Sequence, residues 1–128
     1  MKRIQDALVT TGIPAYAGVW RPTAEYKSPP PQYLVYSTLT IEDEHRDDAL
    51  VWYKLYVYLN LWSTGDVTQG VRKVRAAMRA AGFQMQDETD RGYNQPAYNT
   101  DADLFSVFWT WVLRVDAAEE DALDEHET

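Results

Sequence analysis

The chain of 128 residues carries two histidines and no cysteine. Thiol nucleophiles, disulfides and Cys-based metal sites are therefore excluded. His45 sits in the run Glu42–Asp48, EDEHRDD, and His126 in an acidic C-terminal stretch. A general base needs a positioned partner and a partly dry pocket, and neither setting supplies one. EDEHRDD holds five acids in seven residues, which invites a calcium reading. An EF-hand, however, needs alternating oxygen ligands, a central Gly and a terminal Glu. This run has no Gly and contains Arg46, so it reads as a solvated turn. Ser63-Thr64-Gly65-Asp66 lacks the glycine spacing and the Lys–Ser/Thr pair of a phosphate loop. No nucleophile elbow occurs. The expectation is a protein that is not an enzyme, with no catalytic residue, no cofactor and no metal.

Two groups of residues do suggest contact chemistry. Arg72, Lys73, Arg75 and Arg79 are a third of the twelve basic residues, and no acid lies between Asp66 and Asp87. Arg72, Arg75 and Arg79 fall at i, i+3 and i+7, one helical face. A solvated helix face accounts for them. A docking surface for an acidic partner, a neighbouring subunit's tail or DNA, is the sharper reading, with the salt sensitivity of a charge-based contact. The second group is aromatic: Trp52, Tyr56, Tyr58 and Trp62 recur on one face of an apolar run, and Phe108 is placed to join them. A second buried layer would explain these residues, but little chain remains to build one. An uncovered aromatic patch marks a protein–protein surface.

These groups depend on the elements that carry them. Leu50–Trp62, LVWYKLYVYLNLW, is apolar or aromatic except at Lys54 and Asn60. β-Branched and aromatic enrichment without Gly or Pro predicts a strand. At period two, Val51, Tyr53, Leu55, Val57, Leu59 and Leu61 form an aliphatic face to be laid on a core. Leu50, Trp52, Lys54, Tyr56, Tyr58, Asn60 and Trp62 form the opposite face. Tyr33–Ile41 predicts the preceding strand, with Tyr33, Val35, Leu39 and Ile41 on one face, and Glu42–Asp48 turns it into a long hairpin. Val67–Ala81 predicts a helix: Val67, Val71, Val74, Met78 and Ala81 make an apolar stripe, Asp66 offers a cap and Gly82 a stop.

Ile4, Leu8 and Val9 predict a short first helix ended by Gly12 and Pro14, with Gln5 and Asp6 in water. Ala15–Trp20 reads as a short extended segment. Residues 21–31 hold four of the six prolines and read as a stiff loop. Phe83–Thr89 begins a strand and Asp90–Asp103 reads as a loop. Leu104–Val115 is the last strand, with Phe105, Val107, Trp109, Trp111, Leu113 and Val115 on one side. The fold class expected is α+β: a mixed, mainly antiparallel sheet with two helices packed on one face and a long β-hairpin.

One domain, residues 1–115, is expected, with an acidic tail over 116–128. The net charge of −8 divides unevenly. Asp116–Thr128 has seven acids and no Lys or Arg, which leaves thirteen acids against twelve bases in 1–115, or −1. A nearly neutral body argues against a basic nucleic-acid reader. No signal-like or membrane-spanning run is present, so the chain reads as soluble and intracellular, with no membrane partner.

The order of elements and three stretches resemble the small tail-completion or tail-terminator proteins of long-tailed bacteriophages, including the tail-to-head joining family and the minor tail protein U type. The first is an opening helix running into Thr11-Gly12-Ile13-Pro14-Ala15-Tyr16. The second is Pro30-Pro31-Gln32-Tyr33-Leu34-Val35-Tyr36, similar to a proline-then-YIVY strand opening. The third is a long aromatic strand, a turn and an amphipathic helix ending Ala80-Ala81-Gly82-Phe83. The likeness covers residues 1–115; the acidic tail and the loop around Tyr93–Tyr98 fall outside it. The resemblance implies a virion protein of the tail or neck, assembled in the host cytoplasm. It implies a homo-oligomeric ring, commonly a hexamer, that caps the tail tube and joins it to the head. The partners implied are further copies of itself, a tail-tube protein, a head-closure or connector protein and, transiently, DNA in the channel. A connector role nearer the portal, and a non-viral module docking an acidic partner through the basic helix, are the alternatives.

Overall fold

The computed structural model describes residues 2–18, 30–46, 49–94 and 104–116, with side chains at all but 2, 43–46, 49–51, 93 and 94. The element order is α1 (Lys2–Val9), β1 (Ala15–Ala17), β2 (Gln32–Arg46), β3 (Ala49–Ser63), α2 (Thr68–Ala80), β4 (Gln84–Asn94) and β5 (Leu104–Asp116). The five strands form one sheet in the order β1-β2-β3-β5-β4. Only β1–β2 is parallel. The fold is α+β, as expected.

The apolar run of β3 takes the centre of the sheet because it can be covered on both edges and on one face. Its aliphatic residues Leu55, Val57, Leu59 and Leu61 are sealed, and they meet Trp109, Trp111, Leu113 and Val107 of β5 in the core. Both helices lie on that face. Ile4, Ala7 and Leu8 of α1 and Val74 and Met78 of α2 join the same cluster. Val9, expected on the apolar side of α1, is 76% exposed. As the last residue of α1 it points away from the sheet, whereas Gln5 and Asp6 face water as predicted. Tyr33 and Leu104 make a small second cluster with Tyr16, Val35 and Trp62.

α2 ends as its sequence dictates, but it starts at Thr68, with Val67 as an N-cap that makes no side-chain capping bond and Asp66 one residue ahead of it. Asp66 Oδ1 accepts from the Thr68 N–H (2.9 Å) and from the Thr68 hydroxyl (2.7 Å). These bonds hold the Asp66 carboxyl below the usual range. At the other end the Phe83 N–H donates to Met78 O and the Gly82 N–H to Arg79 O, both at 3.0 Å. This is the Schellman pattern, with Gly82 at φ +92°. Gly70 allows the helix to approach β3: a Cβ there would lie 3.0 Å from Leu61 Cδ2.

Two expected loops are paired backbone. β2 continues through Glu42–Arg46, accommodating the acidic run with register shifts at Glu42/Glu44 and Glu44/His45. Residues 47 and 48 of the expected turn lie outside the described residues. β4 runs on through Asp90–Asn94, paired with Leu104–Val107 of β5. Gly92, at φ +67°, absorbs the shift between Asp90 and Gly92. In both places ladder hydrogen bonding to an already built strand outweighs weak β-propensity. β5 ends at Asp116, one residue into the range expected for the tail; 117–128, the proline-rich stretch 19–29 and 95–103 lie outside the described residues.

Candidate functional site

The face of the sheet away from the helices gathers the aromatic residues singled out in the sequence. In antiparallel register, Tyr33, Val35, Ser37, Leu39 and Ile41 of β2 stand beside Trp62, Asn60, Tyr58, Tyr56 and Lys54 of β3. Those β3 residues stand in turn beside Ser106, Phe108, Thr110, Val112 and Arg114 of β5. Directly paired residues share a face. Trp52, Tyr56, Tyr58, Trp62 and Phe108 therefore lie together, as expected, and all five are half-buried.

Their surroundings differ along the strand. Trp62 packs into the Tyr33–Leu104 cluster. Tyr58 and Phe108 run nearly parallel, 14° between planes, with centroids 6.5 Å apart. The Arg91 guanidinium lies 4.4 Å from the Phe108 centroid, and that of Arg114 lies 4.6 Å from the Trp52 centroid. Both are cation–π distances. The face is thus aromatic with a cationic fringe. Three of its buried polar atoms, Tyr33 Oη, Asn60 Nδ2 and Ser106 Oγ, have no hydrogen-bond partner among the described residues. Burial, with the Tyr16 phenol behind it, pushes Tyr33 up to about 12.

Leu39 and Ile41 extend this face; they are 47% and 45% exposed. Sequence periodicity put them with Tyr33 and Val35. Only the β2–β3 register, Leu39 opposite Tyr56 and Ile41 opposite Lys54, shows that they continue the aromatic surface. Arg91 and Arg114 were likewise invisible as neighbours of Phe108 and Trp52.

The basic helix is divided. Arg72, Lys73 and Arg79 are exposed, while Arg75 is half-buried. Arg75 does not share the solvent-facing role expected of it. Its Nε donates to Glu88 Oε1 (2.7 Å) and its Nη2 to Glu88 Oε2, pinning α2 to β4. Glu88 Oε1 also accepts from Trp109 Nε1 (2.6 Å). The Arg75 bonds chiefly, then that of Trp109 and the charges of Arg75 and Arg79, hold the Glu88 carboxyl below its usual range against the opposing effect of burial. The open cleft beside this pair, about 440 Å³, has Val67, Val71 and Val107 among its lining together with Arg72 and Asp90. It offers no histidine, serine or cysteine.

The remaining candidates are structural or undescribed. Ser63, the last residue of β3, is buried, its Oγ accepting from the Gly65 N–H (3.2 Å) and from Gln32 Nε2 (3.3 Å). His45 pairs with Leu50 through its backbone, and its side chain and His126 lie outside the described residues. Among the described residues no group of three or more His, Cys, Asp or Glu could hold a metal ion, and no helix is long and apolar enough to cross a membrane. The chain matches no protein-family model and no curated protein sequence.

Proposed function

We propose that this protein is a structural subunit that assembles with copies of itself through the aromatic sheet face and, following the resemblance, forms a ring that ends a phage tail tube and joins it to the head or connector. The observation that carries the reading is the aromatic face, which neither helix covers. Both helices are spent on the aliphatic side, and Trp52, Tyr56, Tyr58 and Phe108 are left half-buried on the other. Aromatic rings with neighbouring arginines are the composition of contact surfaces. A ring uses heterologous contacts that close by rotation, so this face would meet a different surface of the next copy. Tail-tube and connector proteins are the further partners, on the resemblance alone. The docking of an acidic partner or DNA on α2 is the weaker alternative, since Arg75 is engaged by Glu88.

The test is mass measurement across a concentration series, for the wild type and for a Trp52→Ser, Tyr56→Ser double variant. The expected result is concentration-dependent assembly of the wild type into a closed oligomer, with the variant folded and monomeric. A wild type that stays monomeric at the highest concentration, or a variant that unfolds, refutes the interface. DNA titration at two salt concentrations tests the alternative: tight, salt-dependent binding by the monomer would favour it.

A further inference from the structure

The sheet has two long edges, and they are guarded differently. β4 carries Asp87, Glu88 and Asp90 and two register shifts, the features that keep an edge from pairing. β2 is covered by β1 only at Leu34, Val35 and Tyr36. Beyond that it presents Ser37-Thr38-Leu39-Thr40-Ile41, all five exposed. The segment has no charge, no Pro, no Gly and no shift in register until Glu42. Its composition is that of a strand ready to pair.

Backbone parity says which groups point outward with no partner among the described residues. The Leu34 N–H donates to Pro14 O and Tyr36 O accepts from the Gly18 N–H, both at 2.8 Å and both on the outer edge. Every second residue faces the same way, so Thr38 and Thr40 direct their N–H and C=O outward. We infer that Ser37–Ile41 pairs antiparallel with the same segment of a second copy, about a two-fold axis at Leu39. That register places Thr38 opposite Thr40 of the other copy, and Thr40 opposite Thr38. Both are hydrogen-bonded pairs that exchange N–H and C=O. Leu39 meets Leu39 at the non-hydrogen-bonded position between them, where side chains approach most closely.

The partner is a second copy because the exposed window is itself symmetric. β1 closes one end at Tyr36 and the shift at Glu42 closes the other, which leaves Thr-Leu-Thr centred on the axis. The contact is two-fold, unlike the ring contact, and uses the sheet edge rather than the aromatic face. Leu39 also borders the aromatic face, opposite Tyr56, so the crosslink is read in the Trp52→Ser, Tyr56→Ser background as well, which tells the two contacts apart. Its short length makes a weak contact, which a covalent trap detects.

The chain has no cysteine, so a single introduced thiol reports only its own position. Leu39→Cys should crosslink to itself on mild oxidation at high concentration. The axis puts the two Cα atoms about 4.5 Å apart, within disulfide range. Ile41→Cys faces Ser37 of the other copy. The two introduced thiols would then sit on residues about 13 Å apart at the rise of a strand, so no crosslink should form through this contact. The Leu39→Cys crosslink should persist in the Trp52→Ser, Tyr56→Ser background. Equal crosslinking at both positions, none at Leu39, or loss of the crosslink in that background overturns the proposal.

Discussion

The Arg75–Glu88–Trp109 group predicts an unequal cost for removing the two halves of one ion pair. Arg75 and Glu88 side chains are 38% and 24% exposed, so water screens their attraction. Arg75→Ala should cost about 1 kcal/mol, the upper end for an exposed pair given its two-bond geometry. Glu88→Ala loses the same pair and also strands the Trp109 indole N–H, on a side chain with 0% exposure. A buried donor without an acceptor adds about 1–3 kcal/mol. The total, about 2–4 kcal/mol, should lower Tm by about 4 °C for each kcal/mol in a domain of this size. Glu88→Gln keeps an acceptor for Trp109 and should fall between the two. Urea unfolding followed by circular dichroism measures all three. Arg75→Ala costing as much as Glu88→Ala would refute the argument that the carboxylate serves two donors. The pH dependence has a definite sign. The folded carboxyl titrates below the unfolded one, so its stabilisation is present above the ordinary Glu value and is lost as pH falls through the folded value. Glu88→Gln should flatten that acid limb.

Other substitutions probe separate features. Tyr33 titrates at about 12 when folded, against 10.0. The unfolded chain therefore loses that proton first, and stability should decline as pH rises from 10 to 12. Tyr33→Phe should remove this alkaline slope in a denaturation series. It should leave neutral-pH stability unchanged or raised, because the hydroxyl has no partner among the described residues. Gly82→Ala should cost about 1–2 kcal/mol by thermal unfolding, since φ +92° disfavours a side chain. The added Cβ meets Leu113 Cδ1 only at ordinary contact, 3.5 Å.

The parts of the fold that were legible are those where one periodicity rules. The two faces of β3, the stripe and Gly82 stop of α2 and the alternation of β5 all follow from residue type and spacing. By composition Glu42–Arg46 and Asp90–Asn94 read as turn and loop, since their acids, Gly92 and Asn94 have low strand propensity. Their pairing is settled by a neighbouring strand that local composition does not contain. The aromatic set was legible for the same reason as β3. Leu39, Ile41, Arg91 and Arg114 join it through cross-strand register, and the partner of Arg75 lies thirteen residues away on β4. Helical spacing placed Arg75 with Arg72 and Arg79; it could not say that a carboxylate would be waiting on the next strand.

Trp109 and Trp111 are sealed under the helices, while Trp52 and Trp62 stand half-buried on the opposite face. The molecule therefore carries two optical reporters of different events. Emission from the inner pair shifts when the sheet and helices separate. Emission from the outer pair would shift if, as proposed, a neighbouring copy dried the aromatic face. The chain has a fifth tryptophan, Trp20; replacing Trp20, Trp52 and Trp62 with Phe would leave Trp109 and Trp111 alone, so that tryptophan emission follows folding and not events at the other face. Replacing the inner pair would give the converse at the expense of the core.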